Sequence, residues 1–280
     1  GRDPGTDRAP AVHGLSPPKN RGPRLPLRLT GRPVPAEIFP MPTRSLLRAG
    51  AVALAVASLA FTGCKATIKD PKTEGYVPIF DGKTLAGWSG RSDLWTVKEG
   101  AITGTTHRDH PIAGNTFLVW TNGTVANFEL RLQYRIFNGN SGIQYRSKLV
   151  DADKFVVGGY QADFEAGKTY SGILYEERGR GILAERGQRT VITDDGGKTK
   201  VTVVGKLADS KELQANIRDE QWNDYLIVAD GNHLMHFING RMTVDVVDQQ
   251  AAKAAKEGIL ALQIHAGPPM VVQFRDVKIK

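Results

Sequence analysis

Gln161, Asp163 and Glu165 alternate with Ala162 and Phe164. Successive side chains of a β-strand point to opposite faces, so on a strand these three polar groups share one face. An amide and two carboxylates in a row suit a concavity that holds a sugar, and Asp163 at the centre is placed to move a proton. The same alternation also fits the solvated outer face of an ordinary strand.

Other groups could complete such a site. The run Tyr175-Glu176-Glu177-Arg178-Gly179-Arg180-Gly181 is dense in charge and glycine, as is Glu185-Arg186-Gly187. Loops at a rim carry binding groups, which singles out Tyr175, Glu176, Arg178 and Arg180, with a plain charged surface loop as the alternative. Arg146, a few residues after Asn140 and Ser141, has the planar fork that gives two hydrogen bonds to a carbonyl or a pair of hydroxyls. In Leu262-Gln263-Ile264-His265 the polar Gln263 and His265 share a face opposite Leu262 and Ile264. A histidine beside carboxylates can donate a proton or ligate a divalent cation, and a structural histidine would look the same. His107 and His110 lie in a polar loop and read as solvent groups, while His233 and His236 fall on opposite faces of one short strand. Trp88, Trp95, Trp120 and Trp222 offer ring faces for stacking, though most large aromatics build core.

The elements that must position these groups are strands. From 128 to 136, Phe128, Leu130, Leu132, Tyr134 and Ile136 alternate with Glu129, Arg131, Gln133 and Arg135, the period of a strand with one buried and one wet face. Asn138-Gly139 ends it as a turn. Asp230-Gly231 and Asn239-Gly240 join further strands as hairpins, and 258–265 and 270–279 supply two more. Only 249–257, rich in alanine and followed by Gly258, is expected to be helical. With no repeated β–α alternation and no internal repeat, the pattern predicts an all-β sandwich or jelly roll.

Charge and composition divide the chain. Residues 1–64 hold nine Lys and Arg against three Asp and Glu, a net +6, which leaves +2 of the formal +8 for residues 65–280. The folded part is close to neutral, and a nucleic-acid partner is not expected. Residues 1–40, rich in Pro, Gly and Arg, are expected to be disordered or a non-native extension, with the natural start at Met41. Residues 41–63 read as an export signal: Arg44 and Arg48, then the apolar or small run 49–61, too short to span a bilayer. Phe61-Thr62-Gly63-Cys64 resembles the bacterial lipobox, with Phe61 in place of the usual Leu. Cys64 is the only cysteine in the chain, so no intrachain disulfide forms, and its lipidation would anchor the protein to a membrane in the cell envelope. Residues 64–73 then form a tether and 74–280 the working domain.

That domain resembles the 3-keto-disaccharide hydrolase family. The matching segments run in order: Ile79-Phe80-Asp81-Gly82-Lys83, Gly87-Trp88, Asn140 through Arg146, Gly159-Tyr160-Gln161-Ala162-Asp163, Ser171 through Tyr175, Trp222-Asn223-Asp224-Tyr225, Asn239-Gly240, Leu262-Gln263-Ile264-His265 and Phe274-Arg275-Asp276-Val277. The resemblance implies a concanavalin A-like jelly roll and action on oxidised oligosaccharides. The 161–165 strand also looks like the laminarinase type, in which two Glu flank an Asp, with Gln161 departing from it. Under the resemblance, Asp163 or Glu176 is the base that removes the carbon-2 hydrogen of a 3-keto-glycoside. His265 is the acid or electrophile and Arg146 the enolate's partner, with a divalent metal ion as an optional aid. Asn140, Gln161, Glu165, Tyr175, Arg178, Arg180 and Gln263 are expected to bind substrate. A non-catalytic, lectin-like carbohydrate-binding module is the second reading, and a domain that displays an envelope partner the third.

Overall fold

A computed structural model describes residues 75–280. The expected extension 1–40, the expected export signal 41–63, Cys64 and the whole tether 64–73 therefore lie outside the described residues. The described residues open with β1 (Val77–Pro78), β2 (Trp88–Ser89), β3 (Trp95–Lys98), β4 (Ala101–Thr105), β5 (Thr116–Trp120) and β6 (Phe128–Phe137). Next come β7 (Asn140–Asp151), β8 (Val156–Glu165), β9 (Leu174–Glu177), β10 (Gly181–Ala184), β11 (Gln188–Asp195) and β12 (Lys198–Lys206). A short helix α1 (Ser210–Ala215) precedes β13 (Asn223–Asp230), β14 (His233–Ile238), β15 (Arg241–Asp248), β16 (Ile259–Ile264) and β17 (Val271–Ile279).

Two sheets form a jelly-roll sandwich. The larger runs β12-β11-β15-β14-β13-β6-β17-β4-β3, with β1 on β17; the smaller runs β10-β9-β8-β7-β16-β5-β2. On β6 the alternation read from sequence appears as strict burial of every second residue. Tyr134 of the larger sheet meets Phe164 of the smaller at 4.0 Å between ring centroids, and Phe164 meets Phe274 at 5.9 Å. Aromatic pairs of this kind add about 0.5–1.5 kcal/mol beyond the area they bury. Asn138, Gly139, Asn239 and Gly240 all take positive φ, as their turns require.

The expected helix at 249–257 is not there. Gln250 is fully buried, its side chain joined to Asp194, Arg180 and Thr199, and Gln249 N–H donates to Ile192 O. Tertiary partners thus pull the segment across one end of the sandwich as a series of turns, overriding a weak alanine preference. The helix observed is instead at 210–215, where Asp209 caps the N-terminus by accepting from Lys211 N–H.

Candidate active site

Because Tyr160, Ala162 and Phe164 of β8 join the core between the sheets, Gln161, Asp163 and Glu165 project from the outer face of the smaller sheet. Neighbouring strands add to that face. Gln144 lies opposite Gln161, Gly142 opposite Asp163, and Asn140 opposite Glu165. On β9, Leu174 points into the core, so Tyr175 and Glu177 point outward. On β16, Leu262 and Ile264 point inward and Gln263 outward.

A second layer closes over one end of this face. The β7–β8 hairpin arches across β16 to the far edge of β5, where Phe155 O accepts from Phe117 N–H at 3.0 Å and Lys154 O accepts from Thr116 Oγ1 at 3.0 Å. Beneath it, Phe155 and Val157 pack on Phe117, Val119, Ala261 and Ile259. Gly159, at φ +144°, makes the bend possible, since a Cβ there would lie 2.5 Å from Ser147 Oγ.

Two carboxylates are held in this setting by amide side chains. Asp163, only 6% exposed, accepts from Asn140 Nδ2 at 2.9 Å and from Gln161. Burial dominates these bonds and pushes its carboxyl up to about 8. Glu177 accepts from Asn115 Nδ2 at 3.3 Å and Gln263 Nε2 at 3.4 Å. Gln161 Oε1 links the two by accepting from both Gln144 Nε2 (2.7 Å) and Gln263 Nε2 (2.9 Å). The half-buried Tyr175 phenol is raised first by burial and then by the charges of Glu177 and Asp163. His265 flanks the group. Its Nδ1 donates to Ala266 O at 2.6 Å, since a carbonyl oxygen can only accept. Ala266 N–H in turn donates to Asn115 Oδ1. With Asn140 and Glu165, His265 lines a surface cavity of about 470 Å³.

Several residues expected at this site are elsewhere. Arg146 has φ +46°, which breaks the strand alternation, and its guanidinium donates to Ala126 O, Gly231 O, Ala255 O and Asn127 Oδ1 at one end of the sandwich. Glu176 points inward, where it pairs with Arg180 at 2.6 Å, and Arg180 also pairs with Asp248 at 2.7 Å. These three side chains are spent on one another and are not available to a substrate. Arg178 is exposed in the β9–β10 turn. Gln161 and Gln263 are buried and act on the carboxylates rather than on a ligand. Glu165 caps the following loop, accepting from Thr169 N–H at 2.6 Å and Tyr170 N–H at 2.9 Å.

Glu177, Gln144 and Asn115 were missed from sequence. The signal for Glu177 was present: counting outward from an apolar Leu174 places Glu176 inside and Glu177 outside. Among the described residues no three His, Cys, Asp or Glu side chains gather as metal ligands. The divalent cation allowed for as an optional aid has no such ligand set among them.

Residues 75–280 match the family model described as the 3-keto-alpha-glucoside-1,2-lyase-like domain. The 3-keto-disaccharide hydrolase of Bacteroides thetaiotaomicron is 33% identical over 85 residues, 28% of this chain and 29% of that protein, so the match spans well under half of the relative. Among solved structures, a Parabacteroides distasonis protein provisionally classed as a glycosyl hydrolase is similar over 75% of this chain and 94% of its own, at 18% identity and a TM-score of 0.49. The carbohydrate-binding module CBM66 of Bacillus subtilis aligns over 68% and 93%, at 16% identity and a TM-score of 0.43. The β-glucanase of Bacillus licheniformis aligns over 73% and 96%, at 10% and 0.41. These structural likenesses carry no argument about activity.

Proposed function

The chain belongs to the 3-keto-alpha-glucoside-1,2-lyase-like domain family, and on that premise we propose that it cleaves the glycosidic bond of 3-keto-glycosides with Glu177 as base and Asp163 as acid. The observation that carries the assignment is the contrast between two carboxylates on one face. Asp163 is buried, with its carboxyl pushed up to about 8, so at neutral pH it has a proton to give. Glu177 receives two amide N–H donors, the arrangement a proton-accepting carboxylate needs. Environments that differ in this way divide acid from base.

The ketone at carbon 3 acidifies the hydrogen on carbon 2. Glu177 takes that proton, the electron pair forms the C2–C3 double bond, and Asp163 protonates the ketone oxygen to give an enol. Asp163 then takes the enol proton back as the carbonyl re-forms, the electrons close the C1–C2 double bond, and the C1–O bond breaks. The departing oxygen leaves with the proton held on Glu177. Addition of water across C1–C2 turns the elimination into a net hydrolysis. Gln144, Gln161, Gln263, Asn140 and Asn115 position the two carboxylates.

The test is release of 3-keto-glucose from 3-keto-trehalose and 3-ketolactose. Glu177→Gln is expected to lower turnover by about 10²–10⁴, whereas Glu176→Gln, one residue away, lowers the melting temperature and leaves most of the rate. If the unaltered chain releases nothing with or without added divalent cation, the proposal is wrong, and retained sugar binding would then identify a non-catalytic carbohydrate-binding module.

A further inference from the structure

A single row of outward side chains crosses the smaller sheet: Ile182 opposite Tyr175, Tyr175 opposite Gln161, Gln161 opposite Gln144, Gln144 opposite Ala261. The two ends of the row differ. At the Ala261 end, Phe155 and Val157 of the arched hairpin seal the face. At the other end β10 is the sheet edge, and Ile182 is 42% exposed with a half-buried Tyr175 beside it. Tyr175 precedes Glu177 by two residues on the same face and lies in the field of both carboxylates.

An apolar residue exposed on an edge strand is a liability for solubility and pairing, which proteins usually blunt with charge. Its place beside a proposed acid and base gives it another use. A substrate cannot extend past the sealed end of the row, so whatever lies beyond the bond being broken extends over the open one. We propose that Tyr175 and Ile182 form the platform for the leaving group, so that the enzyme selects 3-keto-glycosides whose aglycone presents a flat apolar face, either an aryl ring or the C–H face of a pyranose. This inference rests on the reaction assigned above.

The test compares kcat/KM of the full chain for phenyl 3-keto-glucoside, 3-keto-trehalose and methyl 3-keto-glucoside, whose methyl group cannot stack. Taking the ratio of variant to unaltered protein for each substrate removes the intrinsic difference in leaving-group reactivity. Tyr175→Ala is expected to lower kcat/KM for the phenyl and disaccharide substrates about tenfold more than for the methyl one, the scale of one stacking contact, with the loss mainly in KM. Ile182→Ser shifts selectivity the same way by a smaller factor. Tyr175→Phe keeps the ring, folds without a new cavity, and retains the selectivity of the unaltered chain. A uniform loss across the three glycosides in Tyr175→Ala, or a selectivity lost in Tyr175→Phe, overturns the platform while leaving the reaction intact. Failure of the unaltered chain to turn over any of the three overturns the reaction and the platform together.

Discussion

Asp163 carries a cost that a purely structural residue would not. Burial pushes its carboxyl up to about 8, from an ordinary value of 3.8, because it disfavours the charge more than Asn140 and Gln161 favour it. Between those values the unfolded chain has already lost the proton that the native chain keeps, so this residue lowers stability progressively as pH rises from about 4 to about 8. Asp163→Asn is therefore expected to raise the melting temperature at pH 7–8 and to have no such effect near pH 4. At roughly 1.4 kcal/mol per unit, the gain is bounded by about 6 kcal/mol. Thermal melts across pH check it. The same titration gives the activity a descending limb above pH about 8, where the acid is no longer protonated, and kcat/KM against pH reads it out. Activity and stability moving in opposite directions at one residue is the mark of a functional group.

Strands alone would give a flat polar face; the β7–β8 hairpin makes it a site. The bulge after Tyr145 and the bend at Gly159 let the hairpin arch over β16 and reach β5. On the floor, Gly142 has an ordinary backbone conformation, but a Cβ there would stand 2.5 Å from Gln161 Cγ and Cδ. The absent side chain makes room for Gln161 to lie across β7 and meet both Gln144 and Gln263. Gly142→Ala is expected to displace Gln161, loosening both carboxylates, with a fall in kcat of about 10- to 100-fold, since a misplaced catalytic group costs that order. The strand keeps its ladder, so the variant still folds, with a cost in stability of about 1–3 kcal/mol from the crowding of Gln161, and kcat is read well below its melting temperature. Measuring kcat and melting temperature together separates this from a general loss of fold.

Across the whole molecule, the charged residues once expected to act on substrate tie the two sheets together. Arg146 on β7 reaches the β13–β14 turn at Gly231 and the crossing segment at Ala255. Tyr160 and Glu176 of the smaller sheet share, through Arg180, a buried cluster with Asp248 of the larger. Arg146→Met leaves several carbonyls without a donor and is expected to cost about 2–4 kcal/mol, seen as a lower midpoint in urea. At a temperature where the variant is folded, kcat/KM should stay within a few-fold of the unaltered chain; a loss as large as that of Glu177→Gln would return Arg146 to the site.

The sandwich was legible from local periodicity because strand alternation, turn residues and burial all follow from neighbours in sequence. β6 with its Asn138-Gly139 turn and the Asn239-Gly240 hairpin needed nothing else. The common face of Gln161, Asp163 and Glu165 was legible for the same reason. What sequence could not decide is which polar side chain meets which. Arg146 leaves the face through a positive φ, Glu176 meets an Arg180 that also holds Asp248, and 249–257 follows Gln250 into a buried cluster rather than its own alanines. Glu177 reaches Asn115 and Gln263 over 62 and 86 residues of chain. Such pairings are fixed by the packing of two sheets and one arched hairpin, and they exist only once the chain is folded.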